Sequence, residues 1–200
     1  AALVAFAAYH TCAPPSAAAL PRRAPVAAAA AAAVGALAPR PAKAEDRSRS
    51  EGYAVQRPDA EWAQRLNGEE YYVLRKGGTE MPWSSKLVRE KRKGVFRCAG
   101  CGTELFASGE KFESGTGWPS FASGLPGVEE EDVNPVQFAV LGAELRCRSC
   151  GGHLGDVFGD GMLFQGTRAA VTGKRYCIDG AALEFFPEDG GVAVRGQGLK

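Results

Sequence analysis

Beyond position 50, the hydrophobic residues occur in short runs that glycines and polar residues separate. Residues 95–98 and 145–147 are each predicted to form a strand that runs into a Cys-x-x-Cys turn, and residues 175–186 are predicted to form strand, turn and strand. Residues 136–141 and 143–147 are interpreted as a β-hairpin. Together with a glycine count of 26, this pattern predicts a mainly β fold with many turns.

Short helices are predicted at the N-terminal side of the domain. Asp59 has the position of a cap for a helix that carries Trp62 and Leu66, and Asn67 with the glycine after it would end that helix. Residues 69–74 are predicted to be a second short piece, either helical or extended.

Residues 1–44 differ in composition from the rest, because Ala and Pro dominate and no Asp or Glu occurs before Glu45. Low-complexity, acid-free N-termini with scattered arginines are typical of organelle transit peptides. Within this stretch, two adjacent arginines precede a mildly apolar run at residues 24–38 and a small-x-small site at residues 42–44. That order is typical of a twin-arginine signal segment.

We interpret residues 1–44 as a targeting leader with a bipartite address, to the chloroplast stroma first and to the thylakoid lumen second. A mitochondrial address is less favoured, and a disordered Ala/Pro tail with no address is the alternative. The apolar run is too short for a membrane span, which needs about 20 apolar residues.

Composition also sets the other boundaries. Residues 45–56 are expected to be a linker, residues 57–187 the folded domain, and the Gly-rich residues 188–200 a mobile tail. Beyond the leader, 20 basic residues face 23 acidic ones, which gives a net charge of about −3. This balance gives no support to a nucleic-acid partner, and we interpret the basic residues 84–93 as a solvated face. We also expect a monomer.

Four of the six cysteines form two Cys-x-x-Cys-Gly knuckles, namely Cys98, Cys101, Cys147 and Cys150. The spacer lets both thiolates of a knuckle face one point, and the glycine permits the tight turn. Two knuckles supply the four sulfur ligands of a tetrahedral zinc site, which would be structural because it has no open position. Two disulfides or two redox dithiols are the alternatives.

Cys177 is the remaining cysteine outside the leader, since Cys12 lies within the leader, where neither it nor His10 is expected to act. Arg175 shares a strand face with Cys177, and its guanidinium is expected to stabilise the thiolate and lower its pKa. His153, flanked by glycines after the second knuckle, is a candidate proton donor.

Residues 112–121 are rich in glycine and aromatic residues and have no helical or strand periodicity. Such a loop can hold Trp118 in a fixed, partly exposed position, where the indole lines a pocket for a soft ligand such as a methyl-sulfur group. The alternative is a loop tryptophan that packs on the core.

Four motifs in this order resemble a B-type methionine sulfoxide reductase: the two knuckles, Gly-Thr-Gly-Trp-Pro-Ser-Phe, Gly-Gly-His-Leu-Gly-x-Val-Phe and Arg-Tyr-Cys-Ile. The resemblance spans roughly residues 57–187. It implies two small antiparallel sheets with short peripheral helices, stapled by a zinc site with four cysteine ligands. The implied activity is thiol-dependent reduction of methionine-R-sulfoxide, mainly in oxidised proteins, with no organic cofactor.

The resemblance also implies roles for single residues. The four knuckle cysteines become zinc ligands. Cys177 becomes the nucleophile that attacks the sulfoxide sulfur, releases methionine and is left as a sulfenic acid. His153 and Arg175 fall on active-site positions, and Trp118 and Phe158 fall where the family cages the substrate methyl group.

Three positions depart from the family pattern. Asp156 stands where many members have a second histidine, and Asp179 stands where many have asparagine. These two acids leave open which group protonates the sulfoxide oxygen, and we expect His153 to do so while Asp156 orients it or holds a water.

The third departure is Thr116, at a position where many members have a resolving cysteine. We therefore predict a one-cysteine cycle that thioredoxin, glutaredoxin or glutathione regenerates, as in the plastid one-cysteine subgroup of plants and algae.

Two other functions fit parts of the sequence. One is a zinc-stapled, non-catalytic chaperone or binding module, in which Cys177 is dispensable. The other is a cysteine hydrolase that uses Cys177, His153 and an aspartate, which would need an oxyanion hole that the sequence does not locate.

Overall fold

A computed structural model describes residues 51–196 of the chain. The predicted leader, with Cys12 and His10, lies outside these residues. Among the described residues, no helix combines the length and the apolar character that a membrane span requires. The helices are α1 (Asp59–Arg65), α2 (Gly68–Lys76), α3 (Pro135–Leu141) and α4 (Arg168–Thr172). The strands are β1 (Gly94–Cys98), β2 (Glu104–Ala107), β3 (Lys111–Phe112), β4 (Ser120–Phe121), β5 (Val128–Glu130), β6 (Ala143–Cys147), β7 (His153–Phe158), β8 (Arg175–Ile178), β9 (Leu183–Pro187) and β10 (Val194–Arg195).

The strands form two antiparallel sheets. One has four strands in the order β10-β9-β1-β2, and the other has six in the order β3-β4-β8-β7-β6-β5. The prediction of a mainly β fold with two antiparallel sheets and short helices is therefore confirmed.

Aromatic side chains from both sheets meet in the core. Phe96 and Phe106 of the four-stranded sheet and Phe121 of the six-stranded sheet are fully buried. The Phe121 ring stacks on Phe106 with centroids 4.3 Å apart and meets Phe96 edge-on at 5.0 Å. Such pairs add to the free energy that burial alone supplies. They anchor β4, which lies beside the strand that carries Cys177.

The N-terminal helices cover one side of this core. In α2, the Asn67 side chain accepts the backbone N–H of Glu70, whose carboxylate accepts the Asn67 N–H in return. This capping box satisfies two donors that a helix start otherwise leaves open. Helix α1 begins at Asp59 itself, with Pro58 in the cap position. The short piece at residues 69–74 is helical, as part of α2.

The predicted hairpin at residues 136–147 is wrong in its first half, because residues 136–141 lie in α3. The Asn134 side chain caps this helix by accepting the N–H groups of Val136 and Gln137. Pro135 occupies its first turn, where proline costs no hydrogen bond. Gly142, with φ of 77°, ends it. These capping signals outweigh the strand preference of the apolar run.

Residues next to both predicted boundaries pack on the domain. Tyr53 is buried, and the backbone N–H of Val55 donates to the carbonyl of Ser149 at 2.8 Å. At the C-terminal end, β10 pairs with β9, and the Arg195 guanidinium reaches the buried Glu70 carboxylate at 3.1 Å. Tyr53, Val55 and Arg195 thus contact the domain from within the segments that the sequence predicted as a linker and a mobile tail.

Candidate active site

A row of polar side chains crosses the six-stranded sheet. The Cα register pairs Asp156 of β7 with Cys177 of β8, Cys177 with Ser120 of β4, and Glu144 of β6 with Asp156. Directly paired residues of antiparallel strands point to the same face. Cys177 therefore lies in the middle of this row, between a hydroxyl and two carboxyl groups.

Gly155 lets β7 and β8 approach closely beside this row. Its φ of 139° is one that residues with a side chain rarely adopt, and a Cβ there would lie 2.2 Å from the Cys177 carbonyl oxygen. The glycine that follows His-Leu in the motif is thus required by the backbone geometry next to Cys177.

Arg175 is fixed by its neighbours on the same face. It pairs in register with Phe158, and its guanidinium lies 4.6 Å from the centroid of that ring. The Asp160 carboxylate accepts hydrogen bonds from Nε at 3.0 Å and from Nη2 at 2.7 Å. A two-point ion pair on an aromatic face holds a guanidinium in one orientation. The sequence did not identify Asp160 as this partner.

A cavity of about 150 Å³ opens beside Cys177. Its walls combine aromatic, acidic and thiol groups, contributed by Thr79, Trp118, Gly155, Asp156, Phe158, Cys177 and Asp179. The structure therefore brings together five of the residues selected from the sequence. Mixed walls of this kind, with few polar groups that converge on one point, are typical of small-ligand sites.

Trp118 is held at the cavity by its loop and by its indole nitrogen. The N–H of the indole donates to the Glu80 carbonyl oxygen at 3.2 Å. Before it, Gly117 has a φ of 98°, and its carbonyl accepts the backbone N–H of Trp83 at 2.7 Å. A Cβ at Gly117 would lie 2.8 Å from the Pro82 side chain, so only glycine allows this approach.

The thiol of Cys177 is partly buried, and burial raises its pKa. The Arg175 charge and a hydrogen bond with Thr116 oppose this effect, while the carboxyl groups of Asp179 and Asp156 add to it. Arg175 thus acts in the expected direction, but the expected net lowering of the thiol pKa is wrong, because burial outweighs the guanidinium. At neutral pH the resting group is mainly the thiol.

His153 is buried and held from both sides. Its Nδ1 lies 2.7 Å from Oε1 of Glu144, and its Nε2 lies 3.7 Å from Oδ2 of Asp179. Although burial raises the pKa of Glu144, hydrogen bonds with His153 and Arg146 lower it to about 2. An ionised Glu144 favours a proton on Nδ1. Nε2 is the ring nitrogen that faces Asp179.

Asp179 and Asp156 are the acids that reach the cavity. Burial raises the pKa of Asp179 to about 6, against the effects of a hydrogen bond from the Glu80 backbone and of His153. Burial likewise raises the pKa of Asp156. Asp179 is 3% exposed and lies between His153 and the cavity.

The four knuckle cysteines converge at a second place. Each is a free cysteine, and their sulfur atoms all lie within 4.8 Å of one another. The distance is 3.8 Å from Cys98 to Cys150 and 3.5 Å from Cys101 to Cys147. Tetrahedral bonds of about 2.3 Å place sulfur ligands about 3.8 Å apart, so the cluster could hold a metal such as zinc.

The knuckle glycines make this convergence possible. Gly102 and Gly151 have φ of 79° and 70°, and each donates its N–H to the carbonyl of the first cysteine of its knuckle at 2.8 Å. Cys98 ends β1 and Cys147 ends β6. A metal here would therefore join the two sheets.

Comparison with known proteins agrees with this geometry. Residues 66–187 match the model of the SelR domain. The chain belongs to the SelR family. The peptide methionine sulfoxide reductase MsrB of Leifsonia xyli subsp. xyli is 44% identical over 137 residues, which cover 68% of this chain and 94% of that protein. The MsrB protein of Methanosarcina barkeri is 45% identical over 138 residues, covering 69% and 92%.

A plant relative is also similar. The peptide methionine sulfoxide reductase B2, chloroplastic, of Arabidopsis thaliana is 39% identical over 137 residues, which cover 68% of this chain and 63% of that protein. The resemblance drawn from the motifs is thus confirmed at the level of the SelR family, and the one-cysteine subgroup stays a prediction.

Within the SelR domain, the sequence motifs missed three carboxylates that support the site. The carboxylate of Glu144 bonds His153, that of Asp160 pairs with Arg175, and that of Glu80 accepts the backbone N–H groups of Gly180 and Ala181. Glu80 and Glu144 lie outside the motifs. A local signal was present for Asp160, because it stands two residues after the Val-Phe motif.

Proposed function

We propose that this chain reduces methionine-R-sulfoxide, mainly in oxidised proteins, to methionine at the expense of an external thiol. The supporting observation is the cavity in which the Cys177 thiol faces two acids and two aromatic walls. The names of the MsrB relatives point to the same activity.

Trp118 and Phe158 are proposed to cage the methyl group of the substrate. Sulfur-bound methyl groups interact favourably with aromatic rings, and burial of a methyl group is favourable by roughly 0.8 kcal/mol. The polar end of the cavity, with Asp156 and Asp179, then receives the sulfoxide oxygen. The epimer whose oxygen points to these acids is the one that binds productively.

The chemistry transfers one oxygen atom. The Cys177 sulfur, once deprotonated, attacks the sulfoxide sulfur, and the sulfoxide oxygen takes up a proton. This attack forms an S–S bond, and the oxygen with its proton then passes to the cysteine sulfur as the S–O bond of the substrate and the new S–S bond break. Methionine leaves reduced by two electrons, and Cys177 becomes a sulfenic acid, oxidised by two electrons.

We assign the proton on the sulfoxide oxygen to Asp179, with His153 behind it. Asp179 lines the cavity, and its Oδ2 lies 3.7 Å from Nε2 of His153. This arrangement supports a role for His153 through Asp179, which modifies the expectation that His153 acts directly. Asp156, the register partner of Cys177, is proposed to take up the thiol proton.

Regeneration is proposed to need an external thiol. One thiol attacks the sulfenic acid, which releases water and forms a mixed disulfide, and a second thiol then releases Cys177. Thr116 contacts Cys177 where a resolving cysteine would otherwise stand, and the other cysteines of the described domain lie in the cluster. Thioredoxin, glutaredoxin and glutathione are the candidate reductants.

The remaining assignments are proposals of the same kind. Structural zinc in the cluster of Cys98, Cys101, Cys147 and Cys150 is supported by the sulfur–sulfur distances. A chloroplast location, in the stroma or the thylakoid lumen, is supported by the composition of residues 1–44 and by the Arabidopsis relative. We propose that the enzyme acts as a monomer.

The proposal is tested by thiol-dependent reduction of the separate R and S epimers of a methionine sulfoxide peptide, with Cys177→Ser as the matched variant. We expect methionine from the R epimer with the wild type and none with the variant. A wild type that is inactive with every thiol would leave the binding-module alternative, and an acyl-enzyme with ester substrates would favour the hydrolase.

A further inference from the structure

Glu80 is a buried carboxylate that no motif and no step of the proposed reaction uses. It lies in the loop between α2 and a 3₁₀ turn at Lys86–Arg89, and it is 5% exposed. Its neighbour Thr79 lines the cavity. Glu80 itself lies behind the cavity wall, where it contacts the backbone and side chains that form this wall.

Both oxygens of the Glu80 carboxylate bind the turn that follows Cys177. Oε1 accepts the backbone N–H of Gly180 and Oε2 accepts that of Ala181, each at 2.8 Å. A carboxylate that accepts two adjacent N–H groups fixes the backbone in distance and in orientation. The turn begins at Gly180, three residues after Cys177, so this contact sets the direction in which the chain leaves the strand that carries Cys177.

The backbone of Glu80 binds the two side walls of the cavity. Its N–H donates to Oδ1 of Asp179 at 2.8 Å, and its carbonyl accepts the indole N–H of Trp118 at 3.2 Å. Because Oδ1 of Asp179 is engaged in this way, Oδ2 is the oxygen directed to His153. One residue therefore contacts the proposed acid, the proposed methyl cage and the turn after the nucleophile.

The loop that carries Glu80 and the turn that begins at Gly180 are closely packed. A Cβ on Gly180 would lie 1.9 Å from the Ser85 hydroxyl and 3.2 Å from Oε1 of Glu80. A shift of the loop relative to the turn would break the two hydrogen bonds of the Glu80 carboxylate. Burial raises the pKa of Glu80 to about 7, against the two backbone hydrogen bonds, which lower it.

We propose that Glu80 is a positioning residue for sulfoxide reduction, which holds Asp179, Trp118 and the turn after Cys177 in one reactive arrangement. The proposal rests on the proposed function and adds to it a residue that does not touch the substrate. A misplacement of reacting groups by about 1 Å costs roughly 100-fold in rate.

Glu80→Gln is the most direct test, because glutamine keeps the size of the side chain but places an NH₂ group opposite one of the two N–H donors. Glu70→Gln is the matched control. Glu70 is a buried carboxylate of the same type, it caps α2 and pairs with Arg195, and it is not among the residues that line the cavity. Both variants lose hydrogen bonds of a buried glutamate, so both are expected to lower the thermal midpoint.

The decisive measurement is a single turnover with enzyme in excess, without added thiol, in which methionine is quantified over time. We expect the rate constant of Glu80→Gln to fall by about 10- to 100-fold and that of Glu70→Gln to stay within about twofold of the wild type. Folding of each variant at the assay temperature is checked by circular dichroism. If Glu80→Gln does not fold, Glu80→Asp, which keeps the charge but not the reach, is expected to show the same loss.

The pH dependence separates positioning from a general loss of stability. Asp179 and Glu69 are the charged groups that act on Glu80. Only the ionised carboxylate accepts both N–H groups, so the ratio of the wild-type rate to the Glu80→Gln rate is expected to rise as the pH passes through about 7. The corresponding ratio for Glu70→Gln is expected to stay flat.

The proposal is overturned if folded Glu80→Gln reacts as fast as the wild type, or if it and Glu70→Gln slow down equally with flat ratios. A wild type that releases no methionine from methionine-R-sulfoxide would instead overturn the proposed function, which is a distinguishable result.

Discussion

The substitution Asp179→Asn tests the proposed proton donor with little change in shape. Asparagine keeps an oxygen that can accept the Glu80 backbone N–H, which lies 2.8 Å from Oδ1 in the structure. It removes the acidic proton that the carboxyl group would deliver. The cavity, the aromatic walls and Cys177 are expected to stay in place, so a change in rate would report on proton transfer.

The size and the pH dependence of the effect follow from the position of Asp179. General acid catalysis contributes roughly 10²- to 10⁴-fold. Burial raises the pKa of this carboxyl from 3.8 to about 6, so its protonated, proton-donating form predominates below pH 6 and declines about tenfold per pH unit above it. The ratio of wild-type to variant rates is therefore expected to be about 100 or more at pH 5 and to fall as the pH rises through about 6.

The assay is the single-turnover release of methionine between pH 5 and pH 8, with Asp156→Asn as a second variant that lines the same cavity. Because Asp156 is proposed to accept a proton and not to donate one, the ratio of wild-type to Asp156→Asn rates is expected not to fall as the pH rises through about 6. Equal rates for wild type and Asp179→Asn at every pH would refute the reasoning. A pH-dependent loss in His153→Asn alone would show that His153 donates directly.

Three further predictions concern the cluster, the missing resolving thiol and stability. Cys150→Ser removes one of the four converging sulfurs and is expected to lower both the zinc content, measured by metal analysis, and the thermal midpoint. Full zinc content with an unchanged midpoint would contradict a zinc site with four cysteine ligands. Thr116→Cys places a thiol at the contact with Cys177. The variant is expected to form an intramolecular disulfide after one turnover, and the wild type is expected to form none. Equal free-thiol counts in the two oxidised proteins would contradict this. The pKa values of Glu80 and Asp179 are raised to about 7 and about 6, so the folded state keeps protons that the unfolded chain releases above about pH 4. Stability is then expected to fall between pH 5 and pH 8, by about 3 kcal/mol from Glu80 alone, and a thermal midpoint that rises over this range would contradict the reasoning.

The cysteine cluster could be predicted from the sequence because the geometry of each Cys-x-x-Cys-Gly knuckle is local. In both knuckles, the cysteine spacing and the glycine after the second cysteine determine the turn, and the observed N–H to carbonyl contacts at 2.8 Å are the result. The pairing of the two knuckles needed one further assumption, that the two strand ends meet. The chemistry of four thiolates around one metal supplied that assumption.

The partners of the proposed catalytic residues could not be predicted in the same way. Glu144 meets His153 because β6 pairs with β7 across a register shift near Arg146. Glu80 meets the turn after Cys177 across a separation of 100 residues. Neither contact leaves a periodic or spaced signal in the chain, since each depends on how distant segments pack.

The wrong hairpin shows a different limit, in which a local signal was present but was given too little weight. The run at residues 136–141 contains two valines, which favour strands, and it precedes a real strand. Asn134 followed by Pro135 is a helix start, and Gly142 is a helix stop. In a helix of seven residues, the two ends determine the structure more than the composition between them.

The acids around Cys177 have two effects that act against each other. Asp156 and Asp179 raise the pKa of the thiol, which leaves less thiolate to attack the sulfoxide. The first half-reaction of the proposed cycle, however, consumes no net proton, because the proton that the thiol loses is balanced by the one that the sulfenic acid gains. The site therefore needs groups that carry a proton over a short distance more than it needs a permanently ionised sulfur. Asp179→Asn is therefore expected to lower the thiol pKa, measured from the pH dependence of alkylation, and yet to slow methionine release. A variant whose thiol ionises more readily and whose sulfoxide reduction also accelerates would show that thiolate supply, and not proton transfer, limits the reaction.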